Sequence, residues 1–280
     1  MEIAALNKKL DLTPMGEVAE TLLITLSMKS KESRKKRPIL KDRIAEEVSS
    51  RINYDFTAFN TPKRSALSVV VKARHFDRQV MEFILNNINP VIVVLGCGLD
   101  ARAQRIGKLG DKTQFYQLDL PEVIALRKQL IPLAFNEELI AESALATAWM
   151  DDIKEKHPNG AFLFIAEGLF MYFEKEEVET IFVHLANNFP GGEIHFDILN
   201  EWMAKNAHRR DSIKALSAEF KSGFDDDQEM ETWHKRLTYE STKLFCSEKE
   251  FKRLGLSNRI MSLLPRYRKA GRMIHYKIKD

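Results

Sequence analysis

The sequence predicts an α/β protein built on a doubly wound, mostly parallel sheet. Short apolar runs alternate with helical patterns from residue 91 onward, the order that successive βαβ units produce. The first run, Val91 to Leu95 (VIVVL), is apolar at every position, as a strand covered on both faces must be. Gly96 and Gly98 follow it at G-x-G spacing, and a second apolar run ends in Asp119, about 20 residues further on.

Residues 1–89 read as a helical extension ahead of the sheet. Glu17 to Met28 carries apolar residues at 18, 22, 23 and 26. Ser65 to Leu85 repeats such a period through Leu67, Val70, Val71, Phe76, Val80, Phe83 and Ile84. Between them lies the basic run Lys29 to Arg43, interrupted by Pro38. Without interleaved aromatics it reads as a solvated loop and helix start, not a nucleic-acid or membrane patch. Asn86 to Pro90 stops the helix before the first strand.

The core α/β region is expected over 90–200. A helix over Ala101–Leu109 leads to a strand at Gln114–Leu118. The helix Pro121–Leu130 opens on proline and Glu122, both start signals. A short strand near 139–142 and a polar turn come next. The run Ala161–Ala166 (AFLFIA), a helix over Lys175–Asn187, the turn Pro190-Gly191-Gly192 and the strand Glu193–Leu199 complete the region. The charged stretch 201–245 reads as a helical lid or substrate cap. In the segment 246–280, runs at 259–265 and 273–278 are the expected closing strands.

Composition narrows the function classes. With 44% hydrophobic residues among 280 the chain can bury a large core, and 43 basic against 40 acidic side chains leave a formal charge of +3. That balance offers no electrostatic reason to expect nucleic acid. Two cysteines, Cys97 and Cys246, make no disulfide framework, so a reducing cytoplasm is the expected setting. The start, MEIAALNKKL, lacks a signal-peptide pattern. No apolar run approaches the ~18 residues of a membrane span, which leaves a small molecule as the expected partner. The seven histidines show no H-x-x-x-H and no ligand spacing with cysteine, so no metal site is expected.

In open α/β sheets the ligand lies beyond the carboxyl ends of the strands. That rule selects Gly96–Gly98, Asp119, Ser143–Ala144 and Glu167. The glycines let the backbone approach a ligand closely, and Asp119 is placed to accept hydrogen bonds from ribose hydroxyls. Glu167, between AFLFIA and GLFMYF, is costly to bury unpaired and is expected to meet a cationic ligand group or an arginine. Cys97 reads as an inert packed thiol. His195 and Asp197 share a strand face and read as structural polar groups, with a general-base role the alternative; Asp225–Asp227 reads as a solvated loop.

The cofactor has two readings. Ala101 stands at the third position of G-x-G-x-x-G, which a dinucleotide fold accepts, so an NAD(P)-dependent oxidoreductase stays open. The long helical extension and Asp100, which would face phosphates with like charge, favour a cofactor without phosphates such as S-adenosylmethionine. A non-catalytic protein that binds S-adenosylmethionine is a third possibility.

The segments VIVVLGCGLDARAQRI, FYQLDLPEVIALRK, FIAEGLFMYF and FPGGEIHFDIL, preceded by TLSMKSKESRKKRPILKDRIAEEVSSRINYDF and VVKARHFD, resemble successive motifs of the leucine carboxyl methyltransferase superfamily. The nearer likeness is to its bacterial TcmP-like branch of polyketide-tailoring O-methyltransferases. The resemblance spans roughly residues 20–200 and implies a class I methyltransferase with a seven-stranded, Rossmann-like sheet. It implies S-adenosyl-L-methionine as cofactor, with Gly96, Cys97 and Gly98 along its methionine portion and Asp119, followed by Leu120, at the ribose. It further implies Arg74 on the cofactor carboxylate, where a bidentate guanidinium suits a planar anion, and Glu167 near the amino end. Lys29 and Tyr172 are implied as positioning residues at the site. Ser143 and Ala144 stand where the leucine-carboxyl branch has aspartate and leucine, a departure that favours the small-molecule branch. The implied reaction is methylation of a carboxyl or hydroxyl oxygen. A carboxylate is already ionised at neutral pH and needs no base, whereas a phenol profits from one; a cation such as Lys29 would anchor an anionic acceptor.

Overall fold

The apolar run of the first strand becomes the centre of the sheet because both of its faces are covered. The computed structural model describes residues 16–54, 56, 63–206, 220–247, 250, 253–261 and 263–280. The helices are α1 (Gly16–Ser33), α2 (Arg43–Arg51), α3 (Lys63–Asn86), α4 (Arg102–Ile106), α5 (Pro121–Leu130), α6 (Ala148–Lys156), α7 (Lys175–Asn188), α8 (Glu201–Lys205), α9 (Leu256–Met261) and α10 (Pro265–Arg268). The strands are β1 (Pro90–Leu95), β2 (Gln114–Asp119), β3 (Glu137–Ala141), β4 (Ala161–Ala166), β5 (Glu193–Leu199), β6 (Leu237–Leu244) and β7 (Gly271–Ile278).

Among the described residues the strands form one seven-stranded sheet in the order β3-β2-β1-β4-β5-β7-β6. Strands β1 to β5 run parallel, and β7 is inserted antiparallel between β5 and β6. The chain winds outward from β1 to β3 and then returns to β4 beside β1, so the order reverses between β1 and β4. At such a reversal the two crossovers diverge and leave a crevice above the strand tips.

Alternation along each strand assigns the two faces. Ile92, Val94, Leu163 and Ile165 pack under Phe76, Val80 and Phe83 of α3. Val91, Val93, Leu95, Phe162 and Phe164 face Trp149 and Ile153 of α6 and Val178, Ile181, Phe182 and Leu185 of α7. Helix α7 starts on a reciprocal capping box between Glu174 and Glu177, which satisfies otherwise orphaned first-turn donors. Helix α2 starts where Asp42 accepts from the Ala45 N–H at 2.9 Å.

The carboxy-terminal third departs from the sequence reading. The sixth strand is Leu237–Leu244 (LTYESTKL), inside the stretch expected to be a helical lid; residues 207–219 of that lid lie outside the described residues. The run expected to close the sheet at 259–265 instead falls partly in the helices α9 and α10. Strand β6 pairs only with β7, so much of it faces solvent and polar residues occupy it without penalty. The apolar Ile260, Met261, Leu263 and Leu264 are all exposed. The basic run is also only partly a solvated loop, because α1 continues through it and buries Lys29, Ser30, Glu32 and Ser33. No helix among the described residues is long and apolar enough to cross a membrane.

Phe182 is fully buried and meets Phe170, Phe196 and Trp233 ring to ring. Phe182→Ala should therefore lower the unfolding free energy by about 3–5 kcal/mol, read as a drop in denaturant midpoint at unchanged slope.

Candidate cofactor site

Strand register sets the site. Leu95 lies opposite both Leu118 and Ala166, and Asp119 lies opposite Ala141. The next residues on β1, β2 and β4 are thus Gly96, Asp119 and Glu167, standing side by side at the carboxyl edge. Asp119 accepts from the Gly98 N–H at 2.7 Å through Oδ2 and from the Leu120 N–H at 2.8 Å through Oδ1. Burial raises its carboxyl pKa, against the pull of those two backbone donors.

The turn itself requires glycine twice. Gly96 and Gly98 have φ of +63° and +47°, the left-handed region that a Cβ disfavours. A Cβ on Gly96 would approach Leu169 Cδ1 at 2.5 Å, and one on Gly98 would approach Leu22 Cδ2 at 2.7 Å. Their freedom is used partly for protein packing, with Leu22 of α1 reaching the turn. Cys97 donates its N–H to the Leu118 carbonyl at 3.1 Å, and burial pushes its thiol pKa far up. Beyond β3, Ser143 Oγ accepts from the Leu145 N–H at 3.2 Å. Ser143 and the buried Ala144 form the turn next to the Asp119 tip.

A buried ion network supports this edge. Asp100 meets Lys29 at 2.9 Å, Arg102 at 3.1 Å and Arg105 at 2.9 Å. Arg105 also holds Asp77 and Asp42, each at 2.8 Å, and Arg102 Nη2 holds Glu167 at 2.6 Å. Burial pushes the Asp100 carboxyl up, but Arg105, Lys29 and Arg102 together hold it well below the usual range. Asp100 accordingly does not present a bare charge to a ligand, which corrects the electrostatic argument made from sequence. Lys29 is not a free cation at the site mouth either: it is buried and paired with Asp100. Arg127, missed in the sequence, donates to the carbonyls of Gly98 (3.1 Å) and Asp100 (2.6 Å) and to Glu137 (2.8 Å). An arginine in an ordinary amphipathic helix carries no local sign of this role.

Other candidates settle as follows. Arg74 is half-buried and its guanidinium pairs with Glu250 at 3.3 Å. Lys72, close to Gly168 after β4, holds Asp197 at 2.8 Å. Asp197 also accepts from the Gly168 N–H, and burial raises its pKa against the pull of Lys72. His195 is stacked on His275 beside Glu193, and burial lowers its pKa to about 4. Tyr172 packs edge-on against Phe220; burial and then the Asp197 charge push its phenol up to about 12, so it stays a hydrogen-bond donor at neutral pH. Asp227 is not a solvated loop residue, since it accepts from Arg272 and from Thr242 at 2.8 Å.

Residues 23–186 match the family model of the leucine carboxyl methyltransferases. The chain belongs to that family. It is 31% identical to the tetracenomycin polyketide synthesis O-methyltransferase TcmP of Streptomyces glaucescens, over 77% of this chain and 78% of that protein. It is 28% identical to the S-adenosyl-L-methionine-dependent methyltransferase dpfgK of Gibberella zeae, over 84% of each. The fold is similar to that of the plantazolicin methyltransferase BpumL, with a TM-score of 0.51 at 14% identity over 94% of this chain and 99% of that one. This methyltransferase uses S-adenosylmethionine, and the NAD(P) alternative falls away. The strand tips fit such a group. The Asp119 carboxylate is set at the turn with two backbone donors, and the partly exposed Glu167 stands on the same edge, held by Arg102.

Because the folded pKa of Asp100 is depressed, its stabilisation is fully present above its unfolded value of ~3.9 and is lost as pH falls through the folded value. Asp100→Asn should flatten that acid limb in stability-versus-pH curves. At pH 7 it should cost about 3–5 kcal/mol, because three buried cations lose their shared anion.

Proposed function

We propose that this methyltransferase acts on an oxygen of a small organic acceptor, with a carboxylate favoured over a hydroxyl. The observation that carries the site assignment is the flush edge of Gly96, Asp119 and Glu167, with Asp119 bonded to the Gly98 N–H. On this reading Asp119 accepts from the two ribose hydroxyls. The exposed Leu120 side chain and the Ser143–Ala144 turn flank the adenine, and Glu167 with Arg102 addresses the amino-acid end. When bound, the cofactor supplies a methyl group on an electrophilic sulfonium sulfur. The protein contributes position and a dry site, which is what a direct displacement needs.

Three features support an oxygen acceptor of small size. The polyketide O-methyltransferase relative spans most of the chain. A cleft of about 510 Å³, lined by Trp202, Met261, Leu264, Pro265, Arg266 and Tyr267, opens beyond β5, within the size range of small-molecule sites. Its apolar walls and single arginine suit a flat acid. Both side chains that the sequence offered as a base, His195 and Asp197, are engaged elsewhere, which supports an acceptor that is ionised beforehand. The N-terminal extension belongs to the cofactor site in this reading, since Leu22 and Lys29 reach the glycine turn and Asp100. A cytoplasmic setting accords with two free thiols.

Labelled-methyl transfer to a panel of aromatic acids and phenols tests the reading. Ester products from acids are expected; transfer to amines alone, or no transfer to any acceptor despite tight cofactor binding, would overturn it, the latter in favour of a non-catalytic binder. Asp119→Ala removes two charge-assisted hydrogen bonds and should weaken calorimetric cofactor affinity by about 10–100-fold without unfolding the chain. Trp202→Ala should raise the acceptor KM while cofactor affinity stays at the wild-type value.

A further inference from the structure

A second cluster lies on the sheet itself. Glu193 and His195 are alternate residues of β5 and so share a face. His275 stands directly across from His195 on β7. The two imidazoles stack with centroids 4.0 Å apart and planes 15° from parallel. Their Nε2 atoms converge on one carboxylate oxygen, Glu193 Oε2, at 2.9 Å from His275 and 3.6 Å from His195. The three ligand atoms lie within 4.8 Å of one another.

We propose that Glu193, His195 and His275 form a binding site for a divalent transition metal of the zinc type, with one coordination position left to water. Zinc bonds to imidazole nitrogen and carboxylate oxygen are about 2.0–2.2 Å, so neighbouring donors in a tetrahedral site stand roughly 3.3–3.6 Å apart. The two distances to Glu193 Oε2, 2.9 and 3.6 Å, bracket that spacing, and turning the imidazoles out of their near-parallel stack would bring all three donors onto a common centre. Two imidazoles and one carboxylate form a donor set that zinc accepts.

One atom separates this arrangement from a simple hydrogen-bonded clamp. His275 Nε2 is buried and makes no hydrogen bond, although the Glu193 oxygen is only 2.9 Å away. Nitrogen and oxygen are close but not aligned for a hydrogen bond, which leaves the nitrogen's bonding capacity to another partner. The frame is rigid, because His195 is buried in a central strand and cross-strand pairing fixes His275 opposite it. Glu193 and His275 are only half-buried, which leaves an entry path. Glu193 begins β5, at the end of the parallel strands remote from the glycine turn. An ion there would brace the inserted strand β7 against β5 and take no part in methyl transfer.

The test uses the untagged full-length chain, stripped with chelator and titrated calorimetrically with zinc, with cobalt as a visible-absorption probe. One zinc ion per chain is expected, with a rise in melting temperature and tetrahedral cobalt bands. His275→Ala and Glu193→Gln should each weaken zinc by at least about 100-fold and abolish the thermal shift, while cofactor affinity, read in the same samples, shows that the variants are folded. Absence of stoichiometric zinc binding by the wild type would overturn the proposal, as would binding that survives both substitutions.

Discussion

The buried pairing of Arg102 and Arg105 with carboxylates from four separate segments is the interaction on which the rest of this structure depends. Asp42 precedes α2, Asp77 lies in α3, Asp100 follows the glycine turn, and Glu167 follows β4. The two guanidiniums therefore join the N-terminal helices to the sheet at its carboxyl edge, where we place the cofactor. Charges taken this far from water are tolerable only when each meets several partners of opposite sign. The partners are shared, so removing one carboxylate leaves the buried guanidiniums with fewer counter-charges.

The same edge shows how position and function are coupled. Arg127 reaches across from α5 to hold the carbonyls of Gly98 and Asp100, which keeps the Gly98 N–H directed at the Asp119 carboxylate. That carboxylate sits in a buried setting which raises its pKa, so it is held charged at some cost and gains from further donors. The ribose hydroxyls of the proposed site would be such donors. The glycines contribute less by opening space than by permitting a left-handed turn under Leu22 and Leu169.

Away from that edge, the antiparallel insertion of β7 brings together residues that are far apart in the chain. It places His275 opposite His195 and, among the described residues, gives β6 its one partner in the sheet. The polar character of β6 follows, because an edge strand has one face or more in water and its sequence loses the apolar signature of a central strand.

Strong local patterns were legible in the chain alone. Apolar runs dictated β1, β4 and β5, and the placement of Gly96, Asp119 and Glu167 at the ends of such runs put them on one edge of the sheet. The motif order carried the family and its cofactor. The tertiary structure decided what depends on partners distant in sequence: that Lys29 pairs with Asp100 instead of awaiting substrate, that Arg74 turns to Glu250, that Arg127 supports the turn, and that LTYESTKL is a strand while 259–265 is not. Periodicity reports burial along one segment, whereas ion pairs and edge strands are set by what packs against that segment. No local pattern encodes that.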